Sequence, residues 1–330
     1  MRLRNSGGNA LQQSSTAGGD SADALEPSEP ATSGDQRPAS DDQRGRLGAE
    51  LGLVAMVTIW GVNFAVVKWA LEAFDPLGFN SLRHILASLF MVGVLLRAGG
   101  IRRPPRRDVL RILCLGALGV VVYQMLFIFG LDRTRAGNAS LMLALVPLFL
   151  LVLGRSGGER RGLAWAGAML SVSGVALVSG SSLRLEGAGT LIGDLILIGA
   201  AGVWAIYTLG AQPLIDRHGP LETTAWTLWV GSLGLAIIGI PGLVAQDWTL
   251  VGPAAWGGLV FSSVFSIGLA YLLWYQGVQK LGSARTAVFS NLTPVVALTT
   301  GVLWLDERFT LPALLGAAMV VGGVLLVRSR

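Results

Sequence analysis

The sequence predicts an all-α integral membrane protein with ten transmembrane helices, arranged as two inverted five-helix repeats. Three observations lead to this fold class. Of the 330 residues, 52% are hydrophobic and 14% are charged, whereas soluble domains carry about 25% charged residues. The apolar residues fall into ten runs, and landmarks of the first half recur in the second. Many glycines among apolar residues are typical of polytopic helical membrane proteins.

The composition argues against several functional classes. The single cysteine, Cys114, and the two histidines, His84 and His218, cannot supply four zinc ligands. Basic residues lie between the apolar runs rather than on one folded face, so we expect no nucleic acid partner. Walker loops, nucleophile elbows and metal-binding His-Glu motifs are absent from the sequence. We therefore expect no enzyme activity and no cofactor.

Residues 1–46 differ in composition from the rest of the chain. They have no aromatic residue and carry seven acids and five arginines. Such a stretch cannot bury enough apolar surface to offset the entropy lost on ordering, so we predict a disordered cytoplasmic tail. The remainder, 47–330, holds 20 basic and 13 acidic residues, which gives it a net charge of +7.

The ten apolar runs follow this tail in order. Each is long enough to cross about 30 Å of hydrocarbon as a helix. Backbone polar groups in lipid must be satisfied internally, so runs of this length predict helices. Charged or proline-containing turns separate them. The predicted spans are 50–70, 77–97, 109–130, 137–154, 162–181, 190–210, 222–243, 254–276, 284–304 and 311–328.

Basic residues are distributed unevenly between the two sides that the spans define. With the N-terminus inside, 16 Arg and Lys residues lie near inner ends. Outer loops contain four, which are Arg133, Arg135, Arg184 and Arg308. Because cytoplasmic loops are enriched in Arg and Lys, we predict that both termini are cytoplasmic. The predicted location is the cell membrane, which is the cytoplasmic or inner membrane.

Landmarks of the first half recur at nearly constant spacing. Trp60 corresponds to Trp204, 144 residues later, and Pro147 corresponds to Pro294, 147 residues later. Composition bias among apolar segments is the alternative explanation for these matches, although the tryptophans and prolines fall in register.

We therefore predict a first five-helix repeat at 47–181 and a second at 190–330. Since five is odd, the second repeat crosses the membrane in the opposite sense. Inverted repeats are the architecture of many secondary transporters, whose sites lie near the midplane at the repeat interface.

Short motifs in chain order carry a resemblance to a known family. They are Ile59-Trp60-Gly61-Val62-Asn63-Phe64, Arg83, Ala136-Gly137-Asn138-Ala139-Ser140-Leu141 with Pro147, Tyr271-Leu272-Leu273-Trp274-Tyr275-Gln276, and Leu281-Gly282-Ser283-Ala284 ahead of Asn291 and Pro294. Over about 50–328 the chain resembles the EamA family of the drug/metabolite transporter superfamily. The resemblance implies ten helices in two inverted units and export of small metabolites. The chain departs from the family at Arg133 and Arg135, where a less charged stretch is expected.

Polar residues inside spans are costly and are therefore the candidates for a binding site. Trp60 and Asn63 share one face of the first helix, and Trp204 and Tyr207 repeat that face in the sixth. If the halves are inverted, both pairs approach one central cavity. Anchoring at the membrane interface is the alternative role for the tryptophans.

Arg83 and His84 lie inside the second span. The guanidinium of Arg83 would suit a substrate carboxylate. A structural pair or snorkelling toward the helix end is the alternative role, and we favour it for this residue. For His84 we expect a packing role with its ring nitrogen satisfied.

All four tyrosines fall inside spans, and Gln124 and Trp274 lie among them. An aromatic wall with phenol and amide groups suits an amphipathic metabolite, although aromatic core packing is the alternative. The candidate substrate-binding residues are Trp60, Asn63, Arg83, Tyr123, Gln124, Trp204, Tyr207, Tyr271, Trp274, Tyr275 and Asn291.

Two prolines are predicted to kink their helices. Pro147 and Pro294 each lack the backbone N–H that would bond the carbonyl four residues earlier, at Leu143 and Ser290. A kink in lipid is tolerated where it faces protein or water, so we expect both prolines near the cavity, as flexible points during transport.

Asp194, at the outer end of the sixth span, is the only carboxylate beyond the first residue of a predicted span, since Glu50 and Glu222 are the first residues of theirs. Export of a cationic substrate in exchange for a proton needs a carboxylate within the membrane. The absence of a carboxylate from the middle of the spans therefore favours facilitated efflux, or coupling through other groups.

Together these features predict a secondary transporter, an exporter or permease, that moves a small metabolite such as an amino acid or derivative by alternating access. Its partners would be the small-molecule substrate and the lipid bilayer. The sequence is compatible with both a monomer and a homodimer. An intramembrane lipid-modifying enzyme and a non-transporting membrane interaction subunit are the alternatives.

Overall fold

The computed structural model describes residues 39–153, 161–281, 286, 289–290 and 292–328, and from Ser40 these belong to one compact unit. The described residues contain helices and no strand. The helices are α1 (Ala39–Ala70), α2 (Pro76–Arg97), α3 (Arg106–Arg133), α4a (Ala136–Leu143), α4b (Val146–Leu153), α5 (Arg161–Glu186), α6 (Ala188–His218), α7a (Pro220–Ile238), α7b (Ile240–Ala245), α8 (Pro253–Leu281), α9 (Thr293–Leu305) and α10 (Leu311–Arg328). A single 3₁₀ turn, Trp248–Leu250, precedes α8.

These helices correspond to the ten predicted spans and confirm the predicted fold class. Six described helices are long and apolar enough to cross a membrane. Shorter apolar helices account for the other spans, and they are Ala136–Leu150, Trp165–Ser181, Thr293–Leu305 and Leu311–Gly323. The protein is therefore a ten-helix membrane protein built from two inverted five-helix repeats.

Most helices extend beyond the predicted spans. α1 begins at Ala39, inside the stretch that was predicted to be a disordered tail up to residue 46. Adding residues to an existing helix costs less than nucleating a new one, so polar residues next to α1 continue it. Residues 1–38 lie outside the described part of the chain. α3 likewise includes Asp108 and Asp132, so Asp194 is not the only carboxylate within a helix.

The second helix of each half begins at a proline. Asp75 caps α2, and its Oδ1 accepts hydrogen bonds from the N–H groups of Leu77 and Gly78, both at 2.9 Å. In the second half, Gly219 has a φ of 83° and directly precedes Pro220. Proline is favoured in the first turn of a helix because its missing N–H has no partner there.

Corresponding helices of the two halves pack against each other, in the pairs α2 with α7a, α4a with α9, and α5 with α10. In the first pair, Ser88 Oγ donates to Ser232 Oγ at 2.8 Å, and these serines are 144 residues apart. That separation equals the spacing of Trp60 and Trp204. A residue that bonds its own repeat counterpart lies on the axis relating the halves, so this axis passes between α2 and α7a.

Close approach of α5 and α10 depends on glycine. A Cβ added to Gly174 would lie 2.5 Å from the carbonyl oxygen of Gly316 and 2.8 Å from the N atom of Val320. A Cβ on Gly323 would lie 2.7 Å from the N atom of Ser171, whereas one on Gly322 would meet nothing within 4 Å. Small residues allow membrane helices to approach closely. Gly174 and Gly323 therefore allow the close approach of α5 and α10.

Of Arg133 and Arg135, which depart from the expected pattern, Arg135 is part of a junction between the halves. Arg135 donates to the carbonyl oxygen of Arg308, and its guanidinium lies 5.7 Å from the ring centroid of Phe309. Arg133 donates to the carbonyl of Phe129 at 2.8 Å within its own helix. Arg135 therefore packs the beginning of α4a against the loop between α9 and α10.

Glu307 completes this junction. Its Oε1 accepts from the Ala136 N–H at 2.6 Å and its Oε2 from the Gly137 N–H at 3.1 Å, at the N-terminus of α4a. A carboxylate there complements the helix dipole and the unpaired N–H groups. Burial raises the pKa of Glu307 above its ordinary value, while the two N–H donors and Arg135 act in the opposite direction.

We predict that Gly323→Ala destabilises the protein and that Gly322→Ala does not. The new Cβ at 323 would meet the backbone of α5, which cannot rotate away, and overpacking of this kind costs about 1–3 kcal/mol. The midpoint of thermal unfolding in detergent measures the effect. Equal midpoints for the two variants would contradict the predicted contact.

Candidate functional site

A cavity with a volume of about 180 Å³ lies among α1, α2, α3, α4a, α4b, α6, α8 and α9. Both halves contribute to its lining, as expected for a site at the interface of two repeats. The sequence-predicted residues that line it are Trp60, Asn63, Arg83, Tyr123, Gln124, Pro147, Trp204, Tyr271, Trp274 and Pro294.

Aromatic rings form a continuous wall on one side of the cavity. The Trp60 ring centroid lies 6.0 Å from that of Tyr271 and 5.8 Å from that of Trp274. The Trp204 centroid lies 5.6 Å from Tyr271 and 4.7 Å from Tyr123. The repeat-related tryptophans thus meet through Tyr271, which lies between them.

The backbone near this wall is unusual. α3 contains a π-helical stretch at Ala117–Val122, directly before Tyr123, and α8 contains one at Phe261–Leu269, shortly before Tyr271. The two stretches begin 144 residues apart, at equivalent positions of the repeats. The Trp60 Nε1–H donates to the carbonyl of Ser266 at 3.0 Å, within the second stretch. π-helical turns are rare and frequently occur at functional sites.

Arg83 is the charged group of the cavity. Its side chain is 2% exposed, which excludes snorkelling to a helix end. One guanidinium nitrogen donates to Ser262 Oγ at 3.1 Å and another to Gln124 Oε1. The guanidinium also lies 5.3 Å from the Phe127 ring centroid. Its described partners are neutral, and no described carboxylate is within ion-pair distance.

Three buried polar atoms of the lining residues have no hydrogen-bond partner among the described residues. They are Arg83 Nε, Asn63 Oδ1 and Thr293 Oγ1. An unpaired polar atom away from water is costly, so each is a potential ligand contact. The set contains one charged donor, one acceptor and one hydroxyl.

His84 occupies the position expected for a packing residue. It is 1% exposed, and its Nδ1 lies 2.8 Å from the carbonyl oxygen of Asn80 one turn earlier. The carbonyl of His84 accepts from Ser232 Oγ at 3.2 Å. The ring therefore lies in the α2–α7a contact rather than in the cavity.

Tyr207 and Tyr275 were predicted to face the cavity, but the structure places both outside its lining. The Tyr207 ring packs on Gly119, where a Cβ would collide with it, and its hydroxyl lies 3.1 Å from Thr227 Oγ1. Tyr275 is 6% exposed and hydrogen-bonds Tyr207. The small Gly119 leaves a space between α3 and α6 that the larger ring fills. Asn291 lies outside the described residues.

The two prolines line the cavity at helix starts rather than at mid-helix kinks. Pro147 is the second residue of α4b, after a break at Ala144–Leu145, and Pro294 is the second residue of α9. Because Pro147 has no N–H, the Leu143 carbonyl cannot receive the usual helical bond from it. The fourth span is therefore interrupted beside the cavity.

Sequence reasoning missed about half of the lining. The residues it did not single out are Phe64, Phe127, Ser140, Leu143, Ala144, Val146, Leu150, Thr208, Ser266, Ile267, Ser290 and Thr293. Several lie one turn from a predicted residue, such as Phe64 after Trp60 and Thr208 after Trp204. A periodicity search from the predicted residues would have found these.

Acidic residues are absent from the described lining of the cavity. Asp194 lies elsewhere and is fully buried; it accepts from Thr134 Oγ1 at 2.6 Å and from Ser179 Oγ at 2.7 Å. In the described ranges no cluster of three His, Cys, Asp or Glu residues is arranged to hold a metal ion. The cavity as described thus pairs one buried cation with neutral polar and aromatic groups.

Comparison with known proteins assigns a family to this architecture. The EamA-like transporter family model matches residues 47–180 and 191–329. A probable terminal-alkyne amino-acid exporter of Streptantibioticus cattleyicolor is 30% identical, over 84% of this chain and 92% of that protein. The uncharacterized transporter YyaM of Bacillus subtilis is 26% identical, over 80% and 88% respectively.

An uncharacterized transporter of Archaeoglobus fulgidus is 28% identical, over 84% of this chain and 98% of its own length. A crystal structure matches with a TM-score of 0.61 at 17% identity, over 84% of this chain and 96% of that one. At this identity the likeness concerns the fold alone.

We predict that Gln124→Leu destabilises the protein by about 1.5–3 kcal/mol, the usual contribution of a hydrogen bond to a charged group. The substitution removes the acceptor of the Arg83 guanidinium. The double variant Arg83→Met with Gln124→Leu should recover stability, because a buried charge without partners costs more than apolar packing.

Thermal unfolding midpoints of Arg83→Met, of Gln124→Leu and of the double variant measure this coupling. Gln276→Leu is the matched control, because Gln276 is exposed on α8. Additive losses in the double variant would show that Arg83 and Gln124 do not depend on each other.

Proposed function

This chain belongs to the EamA-like transporter family of the drug/metabolite transporter superfamily, and on that premise we propose that it exports small metabolites such as amino acids or their derivatives. The observation that carries the proposal is the cavity between the repeats, where the buried guanidinium of Arg83 has no described carboxylate partner. A substrate carboxylate would supply the missing negative charge, and guanidinium groups bind carboxylates in a bidentate manner.

The aromatic wall supports the same substrate class. The rings of Trp60, Tyr271, Trp274 and Trp204 line the same cavity as the charged group and contact one another. Apolar walls with few fixed polar groups are typical of small-molecule sites. Ring faces also attract an ammonium group, with about 0.5–2 kcal/mol in favourable cases. The amino-acid exporter of Streptantibioticus cattleyicolor is a relative whose name is consistent with this chemistry.

We propose alternating access as the mechanism. The break between α4a and α4b and the π-helical stretch of α8 line the cavity, and the π-helical stretch of α3 ends directly before the lining residue Tyr123. Interrupted helices can change conformation at lower cost than regular ones, so these are the segments expected to move. With no acidic residue in the described lining, efflux would be facilitated or coupled through groups other than a cavity carboxylate.

The proposed location is the cell membrane, with both termini in the cytoplasm. The even number of helices and the excess of Arg and Lys near one set of helix ends support this orientation. Arg103 would then lie inside and Arg184 outside.

Counterflow in liposomes tests the transport proposal. We expect preloaded liposomes to accumulate labelled phenylalanine but not phenethylamine, which lacks the carboxylate. Arg83→Gln should lower the phenylalanine signal about tenfold or more, since a charged hydrogen bond contributes about 1.5–3 kcal/mol. The control is Arg103→Gln, at an exposed position outside the cavity.

Other outcomes would contradict the proposal in different ways. If neither phenylalanine nor any other amino acid moves in a folded protein, the alternative of a non-transporting subunit is favoured. Conversion of liposome lipids would favour the enzyme alternative. Equal counterflow of phenethylamine would show that Arg83 does not select a carboxylate.

Cysteine labelling tests the orientation. In a Cys114→Ser background, we expect a membrane-impermeant maleimide to label Arg184→Cys on intact cells, and Arg103→Cys only after permeabilisation. Both positions are exposed, so access depends on the side of the membrane. The reverse pattern would mean that the termini are outside, and labelling of both on intact cells would refute the helix count between them.

A further inference from the structure

A second concave site, which shares no lining residue with the cavity, lies between α3 and α6. It is an open groove with a volume of about 580 Å³. Its lining combines three arginines and one aspartate with small and apolar residues. We call it the α3–α6 groove, and it consists of Arg107, Asp108, Leu110, Arg111, Cys114, Leu115, Gly210 and Arg217.

The groove has two walls, α3 and α6, and both are charged at one end and uncharged at the other. On α3, Arg107, Arg111 and Cys114 follow at spacings of four and three residues, which form one helix stripe. On α6, Arg217 lies two turns from Gly210. Both walls therefore place guanidinium groups at the same end and apolar or small groups deeper along the helices.

The charged end of the groove is partly prearranged. Arg217 donates from Nη1 to Asp108 Oδ1 at 2.6 Å and from Nε to the Pro213 carbonyl at 2.8 Å. The other carboxylate oxygen, Asp108 Oδ2, lies 2.8 Å from His218 Nε2. Asp108 thereby pairs with Arg217 and His218, and its Oδ2 also lies 3.7 Å from Arg107 Nε. The Arg107 side chain is 71% exposed, and Arg111 is also exposed.

The apolar part of the lining is exposed. Leu110, between Arg107 and Arg111 on α3, is 74% exposed, and Cys114, farther along the helix, is also exposed. A Cβ added to Gly210 would lie only 2.8 Å from Leu115 Cδ2. The missing side chain at Gly210 therefore lets Leu115 of α3 pack closely against α6.

We propose that the α3–α6 groove binds an anionic phospholipid, with the headgroup phosphate on Arg107, Arg111 and Arg217 and an acyl chain along Leu110 and Cys114. We infer this ligand from the polarity of the walls. A phospholipid has a charged headgroup followed by a hydrocarbon chain, which matches arginines followed by uncharged residues along the groove. Basic pockets between transmembrane helices on the cytoplasmic side are typical headgroup sites. The lipid would bridge the first repeat, through α3, and the second, through α6.

The test counts lipids that the full-length protein retains in detergent. Native mass spectrometry is applied after equilibration with equal amounts of phosphatidylglycerol and phosphatidylcholine of identical acyl chains. We expect the wild type to retain phosphatidylglycerol preferentially. The double variant Arg107→Gln with Arg111→Gln should lose about 30-fold in phosphatidylglycerol affinity, since each basic residue near the surface contributes about fivefold, with phosphatidylcholine unchanged.

The matched control removes the same charge from the same end of α3. Arg103→Gln with Arg106→Gln changes two arginines that do not line the groove. Retained phosphatidylglycerol should stay at the wild-type amount in this control. An equal loss in both double variants would mean that the lipid responds to net charge alone and would overturn the proposed site.

Two further arms separate the lipid from a soluble phosphate ester. Cys114→Trp should fill the apolar part and lower phosphatidylglycerol retention, because the acyl chain loses its place. Glycerol 3-phosphate or inorganic phosphate, added at millimolar concentration, should not displace the lipid. Displacement by either, with retention unchanged in Cys114→Trp, would assign the groove to a free phosphate ester and overturn the lipid proposal.

Thermal unfolding keeps the proposal testable if a double variant folds poorly. Phosphatidylglycerol should raise the unfolding midpoint of the wild type and of the Arg103/Arg106 control more than phosphatidylcholine does. The extra rise should be smaller for Arg111→Gln, which removes one guanidinium without touching the Asp108 pairs. These readouts do not involve transport, so they are independent of the proposed export function.

Discussion

The hydrocarbon core of a membrane offers no water to polar groups, and the structure of this protein follows from that constraint. Backbone groups are satisfied within helices, and many buried polar side chains bond one another. Asp194 accepts from Thr134 and Ser179, and the Trp60 indole donates to a carbonyl of the π-helical stretch in α8. Of the seven buried side-chain atoms that have no partner among the described residues, three belong to cavity residues, namely Arg83 Nε, Asn63 Oδ1 and Thr293 Oγ1. These three atoms are the ones that a ligand in the cavity could contact.

Internal repetition explains why the cavity lies where it does. Ser88 bonds its counterpart Ser232, and the π-helical stretches begin at equivalent positions of α3 and α8. The π-helical geometry of α3 thus recurs in α8, and both stretches lie next to aromatic residues of the cavity, Tyr123 and Tyr271. The repeat-related Trp60 and Trp204 both contact Tyr271 as a consequence.

The amino-acid sequence predicts the ten helices well because lipid forces long apolar segments into helices. Ten of the thirteen singled-out positions line the cavity, since polar and aromatic residues within spans are confined to the protein interior. The sequence could not place Tyr207, because the space that its ring fills depends on Gly119 of another helix. Nor could it show that Glu307 would cap α4a, since that contact joins the two halves across a long chain separation. The periodicity of polar and apolar residues shows which residues share a face of one helix. It does not show which residues of other helices that face contacts.

Chemical asymmetry within the symmetric scaffold is the feature that bears most on the proposed substrate. At the 144-residue spacing, the counterpart of Arg83 is Thr227, which lies against the Tyr207 hydroxyl rather than in the cavity. The counterpart of Gln124 is Gly268, which packs against Phe90. Only the first half therefore contributes the guanidinium and its amide partner, whereas both halves contribute aromatic rings. The proposed amino-acid substrate would therefore bind with its carboxylate toward Arg83 and its side chain toward the rings.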